Sequence, residues 1–365
     1  MLTPSTVDEA AALVKANGKP LHPVGSGSRG VTNPTDSMPL STQGLNRIVE
    51  HNPGDFTAVL EAGVPLADAQ AAFSEHGQWL ALDPPVGGTI GGLVATADSG
   101  PARHRYGGVR DLIIGITVVL SDGTVARAGG KVIKNVAGYD LAKLFSGSYG
   151  TLGLIADVAV RLHPLPLRTA TLVGESTDPG RIAGAAHALA RRPLEATCLD
   201  VAWAENKGRV LVRFGGHTAE ERAHAAEPLL ADLEDKSVVT DDDNLWAHQR
   251  ARQRSADGVV LKISGRPTDI PTVLETARDS GATTVGRAAL GLFWLAGPAE
   301  ADWIAKVRKT LAPRACSIVD GAARLPDGVD IWPAPDPGAL TVMRRVKARF
   351  DPARAFRPGQ FVGGI

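Results

Sequence analysis

Only two cysteines, Cys198 and Cys316, occur in 365 residues. That is too few for a disulfide framework or a thiolate-built metal cluster and usual in a reducing compartment, so the chain is expected in the cytoplasm. Neither sign of charge is in excess: 39 Lys and Arg face 39 Asp and Glu. No basic surplus is available to neutralise a nucleic-acid backbone or an anionic leaflet, which removes nucleic acid from the expected partners. No window approaches about 18 consecutive apolar residues, so no membrane span is expected. The opening MLTPSTVDEAA lacks a basic run followed by an apolar core, and no export signal is expected. Low-complexity tracts and repeats of about 20 to 50 residues are also missing, which excludes solenoid and propeller arrays. A chain of this length has room for about two domains and a sizeable core.

Glycine, by contrast, is abundant and unevenly placed. Residues 83–153 hold 15 of the 41 glycines. Something in that stretch repeatedly needs close backbone approach or positive φ.

Residues 6–16 carry a capping-box pattern, Thr6 with Glu9, and apolar Val7, Ala11 and Val14 on one face, which predicts a helix. Short β-prone runs follow at 21–24, 48–50 and 58–61, then a helix over 65–76. From Asp111 the run DLIIGITVVL, the turn Ser121-Asp122-Gly123 and TVARA predict a β-hairpin, because Asp-Gly suits the positive φ of a tight turn. Residues 151–162 predict another strand. His163-Pro164-Leu165-Pro166 then breaks the pattern, since proline removes a donor and disfavours helix before itself. Residues 169–319 alternate β-prone runs with helical stretches from Arg181, Ala219 and Pro271, suggesting a small sheet backed by helices. A Pro- and Asp-rich connection over 322–337 and a helix over 338–350 lead into DPARAFRPGQF. The expected architecture is α+β: a first domain over 1–165, a smaller α+β cap over 166–330, and a segment over 331–365 that packs back on the first.

Gly25-Ser26-Gly27-Ser28-Arg29-Gly30 is a literal G-x-G-x-x-G. A dinucleotide-binding βαβ unit puts the third glycine inside a helix, whereas Val31-Thr32-Asn33-Pro34 opposes one. The segment reads either as a loop whose N–H groups cradle an anion or as a flexible loop. A second cluster, PVGGTIGG over 85–92, continues through LVATADSGPARHRYGGVRD. A third, GGKVIKNVAGYD over 129–140, leads to FSGSYGTLG. Two such loops flanking a long cofactor suit phosphates and a flat ring.

The combination of PVGSGSR, GGTIGGLVATADSGP, YGGVRDLIIG, KNVAGYDL and GSYGTLGLI resembles the FAD-binding fold of the vanillyl-alcohol oxidase superfamily, the PCMH type. GGKVIKNVAGYDLAKLFSGSYGTLG is most similar to the glycolate oxidase FAD-binding subunits, the smaller of the two flavoprotein-like kinds. The resemblance covers most of 1–165 and the C-terminal DPARAFRPGQF; the middle matches only in size and coarse pattern. It implies that Val24, Gly25, Ser26, Gly27, Ser28 and Arg29 form the pyrophosphate loop of a bound FAD, and that Gly87, Gly88, Thr89, Gly91 and Gly92 form the second flavin loop. It further implies that Asp98, Ser99 and Arg103 continue along the cofactor, and that Gly150 and Ile155 pass its adenine side. Ser28 stands where covalently flavinylated relatives have histidine, so the FAD is expected to be non-covalent. Arg357 opens an Arg-Pro-Gly where many relatives have Asn-Pro-Gly near the ring.

Lys134, Asn135 and Tyr139 have two readings: contacts to the flavin ring, with Asn135 the candidate, or a solvated lysine and a turn-forming amide. Oxidation of a hydroxy acid calls for a positioned base, and none is identified. His217 and His224, seven apart among Glu220, Glu221 and Arg222, read as a solvated helical face, so no metal site is expected. Arg250, Arg252 and Arg254 with His248 form a basic cluster, either for a carboxylate substrate or, more in keeping with charge runs, for a surface or subunit contact. Trp246, Trp303 and Trp332 are either core or contact surface. The resemblance implies an FAD-binding subunit of a glycolate oxidase-type 2-hydroxy-acid dehydrogenase complex. Its expected partners are a larger flavoprotein subunit, an iron–sulfur subunit and a small hydroxy-acid substrate. A self-sufficient FAD oxidoreductase and a flavin-binding scaffold without turnover remain the alternatives.

Overall fold

The computed structural model describes residues 1–28, 36–131 and 140–365. Arg29, Lys134, Asn135 and Tyr139 lie outside the described residues. The first helix, Val7–Ala16, is capped by Thr6, whose hydroxyl accepts the Glu9 N–H at 3.1 Å. The Glu9 carboxylate reaches back to the Ser5 N–H at 2.8 Å, one residue earlier than the box pattern suggests.

Nine strands follow among the described residues of the first part: β1 Leu21–Val24, β2 Met38–Ser41, β3 Ile48–Asn52, β4 Thr57–Glu61, β5 Gln78–Trp79, β6 Ile113–Val119, β7 Val125–Gly129, β8 Leu154–Arg161 and β9 His163–Pro164. β2 has no sequence signature, because four residues containing a proline show no alternation; it exists by pairing in parallel with β1. Five strands make one antiparallel sheet, ordered β3-β4-β8-β6-β7. The β6–β7 hairpin turns at Asp122-Gly123, with Gly123 at φ 82°. β8 reads as a nearly continuous apolar run because both its faces are covered. Ile155, Val158 and Val160 enter the main core of this part, while Leu154 and Ala156 face a second core with Leu21, Leu40 and Phe356.

After Pro166 the chain enters a second sheet: β10 Thr169–Ser176, β11 Cys198–Ala204, β12 Lys207–Gly215, β13 Asp235–Val239, β14 Val259–Ser264, β15 Thr283–Arg287, β16 Leu292–Gly297 and β17 Ala315–Asp320. Its order, β13-β10-β12-β11-β15-β16-β14-β17, is antiparallel throughout. Helices Pro179–Ala190 and Ala219–Ala226 complete one β-α-β-β-α-β unit, and Ile270–Asp279 and Ala301–Leu311 complete another. The two units join edge to edge through β11 and β15, so the sheet has eight strands and is not the small one suggested by the run of short strands. One face is covered by these helices. The other carries Cys198, Val260, Val285 and Trp294 against the helix Asp243–Ala251. Trp246 of that helix is wholly buried and donates to Thr171 Oγ1 at 2.7 Å, so it belongs to the core and offers no contact surface.

The final helix, Pro337–Phe350, starts at Asp336, which accepts the Ala339 N–H at 2.8 Å. It lies on the first part: Phe350 meets Phe145 edge to face with ring centroids 5.9 Å apart, and Phe356 bridges to Leu21.

Candidate functional site

β1 ends at Val24 and releases the Gly-Ser loop, whose Gly27 sits at φ 69°, a left-handed conformation that favours glycine. Gly25 lies so close to the second glycine segment that a Cβ there would come 2.0 Å from Thr89 Oγ1. That second segment is not wholly loop. Thr89 opens a short helix, Ile90–Thr96, its hydroxyl accepting the Gly92 N–H at 3.4 Å. Ile90, Leu93 and Val94, at helical spacing, are buried, which explains why a glycine-rich run turns helical here.

These segments form one wall of a cleft. Tyr149, Gly150 and Gly153 to Ile155 form another, and Arg357 closes it from the C-terminal return. Of the residues anticipated from sequence, Val24, Gly25, Ser26, Gly27, Ser28, Gly88, Thr89, Gly91, Gly92, Gly150, Ile155 and Arg357 line this cleft. Thr42 and Tyr149 line it too and were not anticipated. Thr42 has no local signal; it arrives because its N–H bonds the Val24 carbonyl at 2.9 Å, extending the β1–β2 pairing. Among the described residues the lining contains no carboxylate, and its only charged side chain is Arg357, nearly buried and pushed below its ordinary value by desolvation. Backbone N–H groups freed of side chains, hydroxyls and one guanidinium suit a diphosphate.

Gly87 is exposed just outside the lining. Asp98, Ser99 and Arg103 do not line the cleft either; they lie at the seam between the two parts. Asp98 Oδ2 accepts from Arg254 Nη2 at 2.9 Å, the Ser99 carbonyl accepts from Gln253 Nε2 at 3.2 Å, and Ser99 Oγ accepts from Arg103 Nη1 at 3.3 Å. The basic run around residue 250 therefore faces inward at Arg250 and Arg254 and is not a surface face: Arg250 stands 4.0 Å from Asp83. At the centre of the seam the wholly buried Arg287 pairs with Asp200 at 2.7 Å, bonds Gln253 Oε1 and lies over Trp294 at 4.7 Å.

A second cavity, sharing no residue with the cleft, opens along the same seam; Trp79, Asp83, Tyr106, Cys198, His217 and Arg250 are among its lining. Burial pushes Asp83 up to about 6, against the pull of Arg287, the Ala102 N–H and Arg250. His217 and His224 do not share a helical face, because Gly216 at φ 105° turns the chain and the helix begins only at Ala219. His217 lines this cavity, and His224 pairs with Glu227 at 2.6 Å. Among the described residues no group of three or more His, Cys, Asp or Glu can hold a metal ion.

Residues 1–129 match the FAD binding domain family. The chain is 37% identical to the glycolate oxidase subunit GlcE of Escherichia coli K12 over 38% of its own length and 41% of that protein's. It is 36% identical to the glycolate oxidase subunit GlcD of Bacillus subtilis over 47% of its length and 38% of that protein's. A yeast mitochondrial D-lactate dehydrogenase [cytochrome] 1 is 34% identical over 46% of this chain and 30% of its own. The chain thus spans less than half the length of these curated relatives. In structure it resembles alkyldihydroxyacetonephosphate synthase, with a TM-score of 0.71 over 97% of this chain and 75% of that one at 15% identity, which shows a shared fold. The chain carries an FAD-binding domain of the PCMH type, related to glycolate oxidase subunits and D-lactate dehydrogenases, and its cofactor is FAD.

Proposed function

We propose that the chain is the FAD-binding subunit of a glycolate oxidase-type 2-hydroxy-acid dehydrogenase complex, passing electrons from the hydroxy acid through flavin to a partner subunit. The observation that carries this reading is the cleft built from glycine segments whose described lining has a single charged side chain, Arg357. FAD, when bound, supplies the hydride acceptor. The chain's own residues hold it: N–H groups of residues 25–28 and of Gly88 and Thr89 meet the diphosphate, Arg357 balances its charge, and residues 150–155 enclose the adenine end. Ser28, in place of a histidine, lines the cleft, which supports non-covalent attachment. The two sheets mark the domain division we propose, 1–165, 166–330 and 331–365, with the last segment completing the first domain. No helix among the described residues is long and apolar enough to cross a membrane. Two unpaired cysteines suit a reducing cytoplasm.

The relatives' names supply the complex; a larger flavoprotein subunit and an iron–sulfur subunit are the partners the reading requires. Its test has two arms. Gly27→Val puts a β-branched side chain at a left-handed position facing the cleft and should purify with little flavin, while the wild type is yellow and releases its flavin on acid precipitation. Glycolate turnover with an artificial acceptor should be weak for the chain alone and restored by co-expression with its genomic neighbours. A lone chain turning over at about 1 to 10³ per second would make it a self-sufficient oxidoreductase.

A further inference from the structure

The helix Pro337–Phe350 buries one residue, and that residue is a lysine. Lys347 Nζ donates to the Thr151 carbonyl, the Phe356 carbonyl and Asp351 Oδ2, each at 2.6 Å. An ammonium has three donors and no acceptor, so its bonding is complete. Asp351, wholly buried, is satisfied from the other side: Oδ1 accepts the Ala355 N–H at 2.8 Å and Oδ2 the Phe356 N–H at 2.9 Å. Two charges persist out of water only when paired and hydrogen-bonded in this way.

A buried lysine on a largely exposed helix calls for a reason beyond packing, and its partners supply one. Thr151 sits between Gly150 and Gly153 in one wall of the cleft. Phe356 precedes Arg357, a charged side chain of the cleft. The Arg357 N–H bonds the Leu21 carbonyl at 2.9 Å, and Phe356 bridges to Leu21, the first residue of the strand that delivers the Gly-Ser loop. One ammonium therefore joins two walls of the cleft directly and reaches the third through the backbone of 356–357.

We infer that Lys347, held by Asp351, is a positioning residue for FAD: it fixes the 149–155 wall relative to Arg357 and thereby sets cofactor affinity without touching the cofactor. The inference rests on the reading of the cleft as the FAD site. Three variants of the full chain test it. Lys347→Met removes the ammonium at similar length. Lys347→Met combined with Asp351→Asn removes both charges while leaving an amide oxygen for the Ala355 N–H; it carries the test if the single variant does not fold. Leu274→Ala, in the core beneath the second sheet, lowers stability far from the cleft. Folding of each apo-protein is checked in the cold by far-UV circular dichroism, FAD affinity by quenching of flavin fluorescence, and ring environment by the visible dichroism of bound flavin.

The Lys347 variants should bind FAD at least about tenfold more weakly, with altered visible dichroism, while Leu274→Ala keeps wild-type affinity. Wild-type affinity in both Lys347 variants, or an equal loss in Leu274→Ala, overturns the inference. A wild-type chain that takes up no FAD overturns the cleft assignment itself and the inference with it.

Discussion

At the scale of single residues, Asp83 has the most distinctive environment. Its carboxylate accepts the Ala102 N–H at 3.1 Å, its side chain keeps only 17% exposure, and burial raises it from the ordinary 3.8 to about 6. An acid raised in the folded state binds its proton more tightly there than in the unfolded chain. Its contribution to stability is complete below about pH 3.8 and is lost as pH rises through about 6. The difference corresponds to about 2–3 kcal/mol. Asp83→Asn keeps an acceptor for the Ala102 N–H and cannot ionise, so its stability relative to wild type should climb between pH 4 and pH 7 and then level. Urea unfolding of both proteins across that range measures this, and a difference independent of pH would contradict it.

At the scale of elements, the helix Ile90–Thr96 depends on its cap more than on its composition. Gly91 and Gly92 are poor helix formers; the buried face of Ile90, Leu93 and Val94, the Thr89 hydroxyl, and the bonds from the Ile90 and Gly91 N–H groups to the Val64 and Ala62 carbonyls favour the turn. Removing a hydroxyl cap costs about 1 kcal/mol. Thr89→Ala should lower apo-protein stability by about that amount and weaken FAD binding, because Thr89 also lines the cleft against Gly25; Thr89→Ser should restore both. Chemical unfolding paired with flavin titration checks it, and failure of Ser to rescue would assign the effect to the lost methyl group.

At the scale of the whole molecule, a polar seam joins the two sheets. Asp200 and Arg287, on the neighbouring strands β11 and β15 of the second sheet, are wholly buried, yet among the described residues Asp200 Oδ1 and Arg287 Nε have no hydrogen-bond partner. Breaking such a pair by removing one member costs about 3–5 kcal/mol, while replacing both can be near neutral. Arg287→Met should therefore be strongly destabilising, and Asp200→Asn added to it should recover much of the loss. A double-mutant cycle by urea denaturation measures the coupling, and additive effects would show that the pair does not act as a unit.

Much of this was legible in the sequence because its causes are local. The Thr6 cap, the Asp122-Gly123 hairpin and the apolar period of β8 depend on residues within a few positions of one another, and the glycine segments announced a close-approach site by composition alone. Local signals also mislead when a remote partner decides the outcome. Arg250 and Arg254 read as a solvated run, yet Asp83 and Asp98 from the other part neutralise them. The seven-residue spacing of His217 and His224 suggested one helical face, until a glycine turn separated them. β2 exists through its pairing with β1, Thr42 through that same pairing, and Lys347 is buried on an exposed helix because Thr151, Asp351 and Phe356 converge on it. The sequence by itself determined the locally signalled elements, the turns and the presence of glycine cradles, since backbone conformation there follows from neighbouring side chains. Only the tertiary structure decided which cradles meet and which charges are paired, since those depend on non-local strand pairing and on what burial leaves each polar group to bond.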